Sequence, residues 1–156
     1  MTLGITGHQE ISTEVEAFVK ARLRAELQAQ AETLCVSSLA IGADQLFAQA
    51  ALACALSLHV VVPCQHYEET FSSPQALAQY QHLLAQASSV ETLDYDQPGS
   101  AAFLAAGQRV ADLADKLVAV WNGKPARGEG GTADIVAYAQ RLGKPVLVLW
   151  PSDSSQ

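Results

Sequence analysis

A chain of 156 residues with 49% hydrophobic and 16% charged residues is long enough for one globular domain that buries roughly two-thirds of its unfolded surface. Its formal net charge of −7 offers no basic face, so neither nucleic acid nor an anionic membrane is expected as a partner. Three cysteines, Cys35, Cys54 and Cys64, are odd in number and lack C-x-x-C spacing, which argues against a disulfide framework and against a zinc site.

In chain order, "MTLGITG" opens with a short apolar strand over residues 3–6 and has neither the basic start nor the cleavage site of a signal peptide, so a reducing, cytoplasmic location is expected. Residues 12–30 place Val15, Phe18, Val19, Leu23 and Leu27 on one helical face behind a T-x-x-E capping box, Thr13 to Glu16. An apolar run at 34–39 and a helix over 43–56 follow. The stretch "LFAQAALACALSLHVVVP" approaches membrane length. It carries Gln49, Ser57 and His59 and turns from alanine-rich to β-branched near Ser57, so it reads as a helix followed by a strand at 58–62. Further strands are expected at 90–93, 117–121 and 146–150, and further helices at 74–87, 100–114 and 132–142. The last helix stops at Gly143-Lys144-Pro145.

Uninterrupted apolar strands alternating with helices predict a single α/β domain over residues 1–151 with a polar tail at 152–156. The expected architecture is Rossmann-like: a doubly wound, mainly parallel six-stranded sheet in the order 3-2-1-4-5-6, helices on both faces. Its ligand crevice would lie at the carboxyl ends of the first and fourth strands.

The glycines fall where such a crevice would be. "GITGHQE" follows the first strand, "AIGADQLFA" the second and "WNGKPARGEGGTAD" the fifth, all on one edge of a parallel sheet. Backbone N–H groups and helix dipoles converge at such corners, which suits a phosphate, although tight turns alone also use glycine. No G-x-G-x-x-G fingerprint, ribose-binding acid or G-x-x-x-x-G-K-[ST] loop is present, so a nicotinamide enzyme and a P-loop nucleotidase are both disfavoured and no cofactor is expected. Cys64, His66 and Glu68 share one loop without a second ligand cluster, and no metal is expected.

"GITGH", "GADQLFAQAA" and "AAGQRVADLADKLVAVWNGKPARGEGGTADIVAYAQRLGKPVLVL" together resemble the SLOG superfamily, over nearly the whole chain. That group includes the DprA/Smf DNA-processing proteins, the LOG cytokinin-activating phosphoribohydrolases and YspA-like proteins. The pattern is nearest to its small stand-alone members. The resemblance implies a nucleotide or nucleotide-derived ligand at three corners: Thr6, Gly7 and His8; Gly42, Ala43 and Asp44; and Gly130, Gly131 and Thr132. It further implies that Arg109 reaches the ligand. Gln9 stands where many relatives carry arginine, which removes one cation from the pocket. Relatives often form dimers, so a homodimer is the expected assembly.

Each of these residues also has a structural reading. His8 can be a turn residue, Asp44 can complement its helix dipole, and Arg109 can be solvated. Thr132 is placed to cap its helix. Trp121 can stack on a base or close the core, Lys124 and Arg127 can flank a phosphate or simply lie exposed, and His59 reads as a strand residue. Two functions stand. One is a non-catalytic nucleotide-binding module. The other is an N-glycosidase of nucleoside 5′-monophosphates, which needs a carboxylate near the anomeric carbon. LOG-type enzymes place a glutamate at the end of G-T-x-x-E. Here that position is Ile135, and the remaining catalytic candidates are Asp134 and Asp44, with Asp94 and Asp96 further off. Binding without efficient catalysis is therefore expected.

Overall fold

The computed structural model describes residues 1–29, 32–125 and 131–152. The elements run β1 (Thr2–Gly7), α1 (Thr13–Gln28), β2 (Leu34–Ser37), α2 (Ala43–Ala53), β3 (Ser57–Val62), a single 3-10 turn (Tyr67–Thr70), α3 (Pro74–Ala85), β4 (Ser89–Thr92), α4 (Ser100–Leu113), β5 (Lys116–Val120), α5 (Thr132–Arg141) and β6 (Val146–Val148). The long apolar stretch divides into α2 and β3 as its composition requires, and among the described residues no helix is long and apolar enough to cross a membrane.

All six strands are parallel, in the order β4-β3-β2-β1-β5-β6. The fold class is the expected doubly wound Rossmann-like sheet. The β3-β2-β1 half and the β5-β6 end run as anticipated, while β4 lies at the outer edge beyond β3 and β5 sits beside β1. The reason is in the strand itself. Ser89, Val90 and Thr92 are exposed, and an edge position tolerates them where a place between two buried strands would not. The chain direction across the sheet therefore reverses between β1 and β5, and the crevice opens there.

Helices α1, α2 and α3 pack one face of the sheet around Val15, Val19, Leu23, Phe47, Leu58 and Val60. Helices α4 and α5 cover the other around Val36, Val61, Val110, Leu117, Ile135 and Ala139. These two helices approach closely because Gly107 faces Ile135: a Cβ at Gly107 would lie 2.5 Å from Ile135 Cδ1. The start of α1 differs from its expected capping box. Ser12 is the N-cap, and its Oγ accepts from Val15 N at 3.2 Å. The end of α5 is as anticipated. Gly143, at φ +75°, follows the last turn, its N–H donating to Gln140 O and that of Lys144 to Ala139 O, which completes a Schellman motif. Cys35, Cys54 and Cys64 are all free thiols.

Candidate functional site

A crevice of about 800 Å³ runs along the carboxyl ends of the strands, from β6 and β5 across β1 to β2 and β3. Its centre is the turn after β1. Thr6, Gly7 and His8 line it, and the packing explains why the second of them is glycine: a Cβ at Gly7 would fall 2.4 Å from Ala43 Cβ and 2.8 Å from Val120 Cβ. His8 N donates to Val120 O, and Ala43 N donates to His8 O, so β5 and α2 are both fastened to this turn.

The His8 ring fastens the third corner. Asn122 N donates to His8 Nε2 at 3.2 Å, which leaves the proton on Nδ1, 3.5 Å from Thr132 Oγ1. Its edge meets the Trp150 ring at a centroid separation of 5.5 Å and 88°. Burial pushes the His8 pKa below its ordinary value, against the opposing effect of a hydrogen bond with the Asn122 side chain, so the ring is neutral at pH 7. His8 thereby joins the ends of β1, β5 and β6 to the start of α5.

The second corner divides by role. Gly42 and Ala43 lie behind the crevice rather than in its lining. Gly42 holds φ +93°, and a Cβ there would come within 2.5 Å of Gln9 O and 2.6 Å of His8 O, so this glycine permits two loops to touch backbone to backbone. Asp44 does line the crevice. Its backbone oxygen accepts from Ser37 Oγ, and Ala40 N points to its Oδ2 at 3.4 Å. Burial raises the Asp44 pKa to about 7, with the Ala40 N–H pulling the other way.

At the third corner Gly131 and Thr132 line the crevice with Ala133, while Gly130, Gly128 and Arg127 lie outside the described residues. The N-cap of α5 is Gly131 and not Thr132, which is the first helical residue and is turned toward His8. Among the described residues no side chain accepts from the first N–H groups of α5. Asp134 N donates back to Gly131 O at 3.1 Å, and among the described residues the N–H groups of Thr132 and Ala133 are left without a partner.

The structure leaves several expected residues outside the crevice. Arg109 Nε donates to Glu91 Oε2 at 3.0 Å, and Glu91 also meets His59 Nε2 at 2.7 Å. This network braces α4 against β3 and β4. Burial would raise the Glu91 pKa, but the hydrogen bonds from His59 and Arg109 outweigh it and hold the carboxylate below its usual range. Asp134 is exposed and Asp94 lines a separate groove. Ile135, in contrast, is 1% exposed and packed on Gly107. Trp121 is not in the lining; its Nε1 donates to Lys124 O at 2.9 Å. The aromatic residue at this end of the crevice is Trp150.

The sequence reading missed the opposite wall. Pro63, Tyr67, Phe71 and Phe103 line the crevice beyond β2. Tyr67 OH donates to Ser38 O at 3.0 Å, and burial pushes its pKa up. The available signal was two aromatics in a non-periodic loop, "CQHYEETFSS", which no helix or strand pattern claims.

No family model matches the chain, and no curated protein matches it. Solved structures do. DNA processing protein A (DprA) from Streptococcus pneumoniae superposes with a TM-score of 0.73 at 18% identity, over 99% of this chain and 52% of that one. DNA processing protein A from Helicobacter pylori gives 0.71 at 19% identity, over 95% and 64%. The molybdenum cofactor carrier protein from Chlamydomonas reinhardtii gives 0.55 at 15% identity, over 94% and 74%. These likenesses show the fold, a Rossmann-like parallel α/β sheet. The chain spans about half to two-thirds of the length of the two DNA processing proteins. One expectation is overturned by these matches: the H. pylori protein has a single-stranded DNA binding mode, so nucleic acid is not excluded as a partner for a domain of this fold. Net charge averages over the surface, whereas a strand is held by the local potential and ring faces of one groove.

Proposed function

We propose that the crevice binds a nucleotide or nucleotide-derived phosphate ligand and that the chain does so without efficient catalysis. The observation that carries this reading is the start of α5. Gly131, Thr132 and Ala133 face the crevice at the β1–β5 reversal, the helix has no side-chain cap there, and Asn122 and Lys124 flank it. Unpaired N–H groups at a positive dipole end favour a phosphate dianion. A cofactor carrier among the structures with this fold is a second, looser support. The position that would carry the G-T-x-x-E glutamate is filled by Ile135, whose contact with Gly107 is apolar packing and offers no acid, base or charge.

Thermal unfolding in the presence of AMP, ADP-ribose, ribose 5-phosphate, inorganic phosphate and a short single-stranded oligonucleotide tests binding. A ligand at a hundred times its Kd stabilises by about 2.7 kcal/mol, which for a chain of this size raises Tm by roughly 5–10 °C. A flat response to every compound would sink the proposal. Gly131→Asp localises the site. Gly131 has φ −69° and ψ 166°, which any residue adopts, and aspartate is a favourable N-cap. The variant should fold and yet lose phosphate binding, because its carboxylate takes the anion's place.

One observation favours a second reading, hydrolysis of the N-glycosidic bond. Asp44 lines the crevice and has a pKa of about 7, suited to proton transfer near neutrality. Incubation with AMP, GMP, CMP and UMP followed by chromatography of free bases separates the two. We expect weak or no release; robust turnover that Asp44→Asn abolishes would establish the enzyme.

A further inference from the structure

The crevice has two unlike ends. The phosphate-type corner lies at β5 and α5, and the wall of Tyr67, Phe71 and Phe103 stands beyond the end of β3. Three strand spacings separate β5 from β3, or about 14 Å. A bare phosphate or sugar phosphate at the first end leaves the second unused.

The wall is the front of a chain of rings. Phe71 stacks on Tyr80 at 4.6 Å and 21°, Tyr67 meets both edge-on at 5.4 Å, and Phe103 continues the series against Tyr67 at 6.4 Å and 59°. Tyr67, Phe71 and Tyr80 are buried at 5%, 8% and 2% exposure, whereas Phe103 is half-buried and faces the crevice. Ala102 and Phe103, in the first turn of α4, pack with the cluster of α1, α2 and α3, whereas Ala106 and Val110 further along the helix belong to the other cluster. Tyr67 OH is committed to Ser38 O, and the phenylalanines carry no polar group. A surface of this kind recognises a flat ring by its face and area, with little hydrogen-bond readout.

We propose that Phe103, set against Tyr67, is the ring-binding wall of the crevice and selects ligands that carry a planar aromatic base over bare sugar phosphates. This rests on the nucleotide reading above and adds to it a specificity-determining residue and an orientation: base toward β3, phosphate toward α5. Trp150, the other aromatic in the lining, sits with its ring against the His8 edge at the phosphate end and is not the base platform.

Isothermal titration of AMP and ribose 5-phosphate into the wild type, Phe103→Leu and Trp150→Leu tests it. Leucine keeps apolar volume at 103 but removes the ring face. The expected result is that the wild type prefers AMP by about tenfold or more, as stacking on one aromatic side chain allows. Phe103→Leu should remove that preference while leaving ribose 5-phosphate affinity unchanged, and Trp150→Leu should preserve it. Equal affinity of the wild type for the two ligands overturns this inference and leaves phosphate binding standing. So does a preference lost in Trp150→Leu and kept in Phe103→Leu, or an equal loss of both ligands in Phe103→Leu. Absence of binding by either ligand overturns both proposals together.

Discussion

The helices of this domain start in two different ways. Helices α1 and α3 are closed by their own serines: Ser12 Oγ accepts from Val15 N, and Ser73 Oγ accepts from Ala76 N at 3.1 Å. Helices α2 and α5 begin at glycines, Gly42 and Gly131, with no side-chain cap, and so does α4, at Gly99. The first pair start away from the crevice lining. The second pair start at the crevice, and there the two glycines differ again. Gly42 is required by close backbone contact, whereas Gly131 has extended backbone geometry that any residue adopts. A glycine where a capping residue would fit leaves N–H groups open, and openness toward the crevice is what a ligand would use. Gly99 starts α4 uncapped outside the crevice lining, so an uncapped glycine marks a candidate corner only where the crevice reaches it.

Substitutions can break this comparison. The largest effect should come from Gly42→Ala, which adds a Cβ within 2.7 Å of the Gln9 and His8 backbones at φ +93°. Strain and overpacking together should cost about 3 kcal/mol or more, a loss of roughly 10 °C in Tm. A Tm change below 2 °C would show that the two loops are not locked together. Ser12→Ala and Ser73→Ala should each cost about 1 kcal/mol in denaturant unfolding and leave ligand affinity untouched.

Asp44, in the first turn of α2, sharpens the comparison through pH. Its folded pKa of about 7 lies above the ordinary 3.8, so the folded state keeps a proton that the unfolded chain releases. The stability contributed is therefore greatest near pH 4 and is lost as pH rises toward 7. His8, with its lowered pKa, acts in the opposite sense, losing stability as pH falls below about 6.5. The difference between wild type and Asp44→Asn in unfolding free energy, followed from pH 4.5 to 7.5, isolates the carboxylate: the wild type should lose stability relative to the variant as pH rises. A constant difference would mean that Asp44 is not desolvated. The smallest stability effect belongs to Gly131→Ser, which turns α5 into a serine-capped helix like α1 and α3. Stability should rise by a few tenths of a kcal/mol, while affinity for AMP falls. Unchanged affinity would remove the α5 start from the site.

The sheet was legible because five strands carry uninterrupted Val, Leu and Ile and the helices between them carry clear faces. The position of β4 was not, since Val90 and Leu93 suggested burial. Ser89, Glu91 and Thr92 were the overlooked sign of an edge. In the site, Thr6, Gly7, His8, Asp44, Gly131 and Thr132 line one crevice. The spacing of glycines could not separate Gly42, which serves packing, from Gly131, which lines the crevice, because that distinction depends on neighbours distant in sequence. Arg109 was misplaced for the same reason: its partner Glu91 lies on β4, whose location was itself unread. The aromatic wall escaped because loops have no periodicity to betray which side chains turn inward.

The fastening of His8 has a kinetic consequence. The turn after β1 is held by Val120 O, by Ala43 N, by Asn122 N on the ring and by Gly42 pressed against its backbone. For the ligand proposed above, the turn after β1 is already fastened to β5 and α2, so ordering that turn costs little entropy on association. Capture should then run at the rate set by diffusion and orientation, without a slow closing step, and differences in affinity among ligands should appear in how long each one stays.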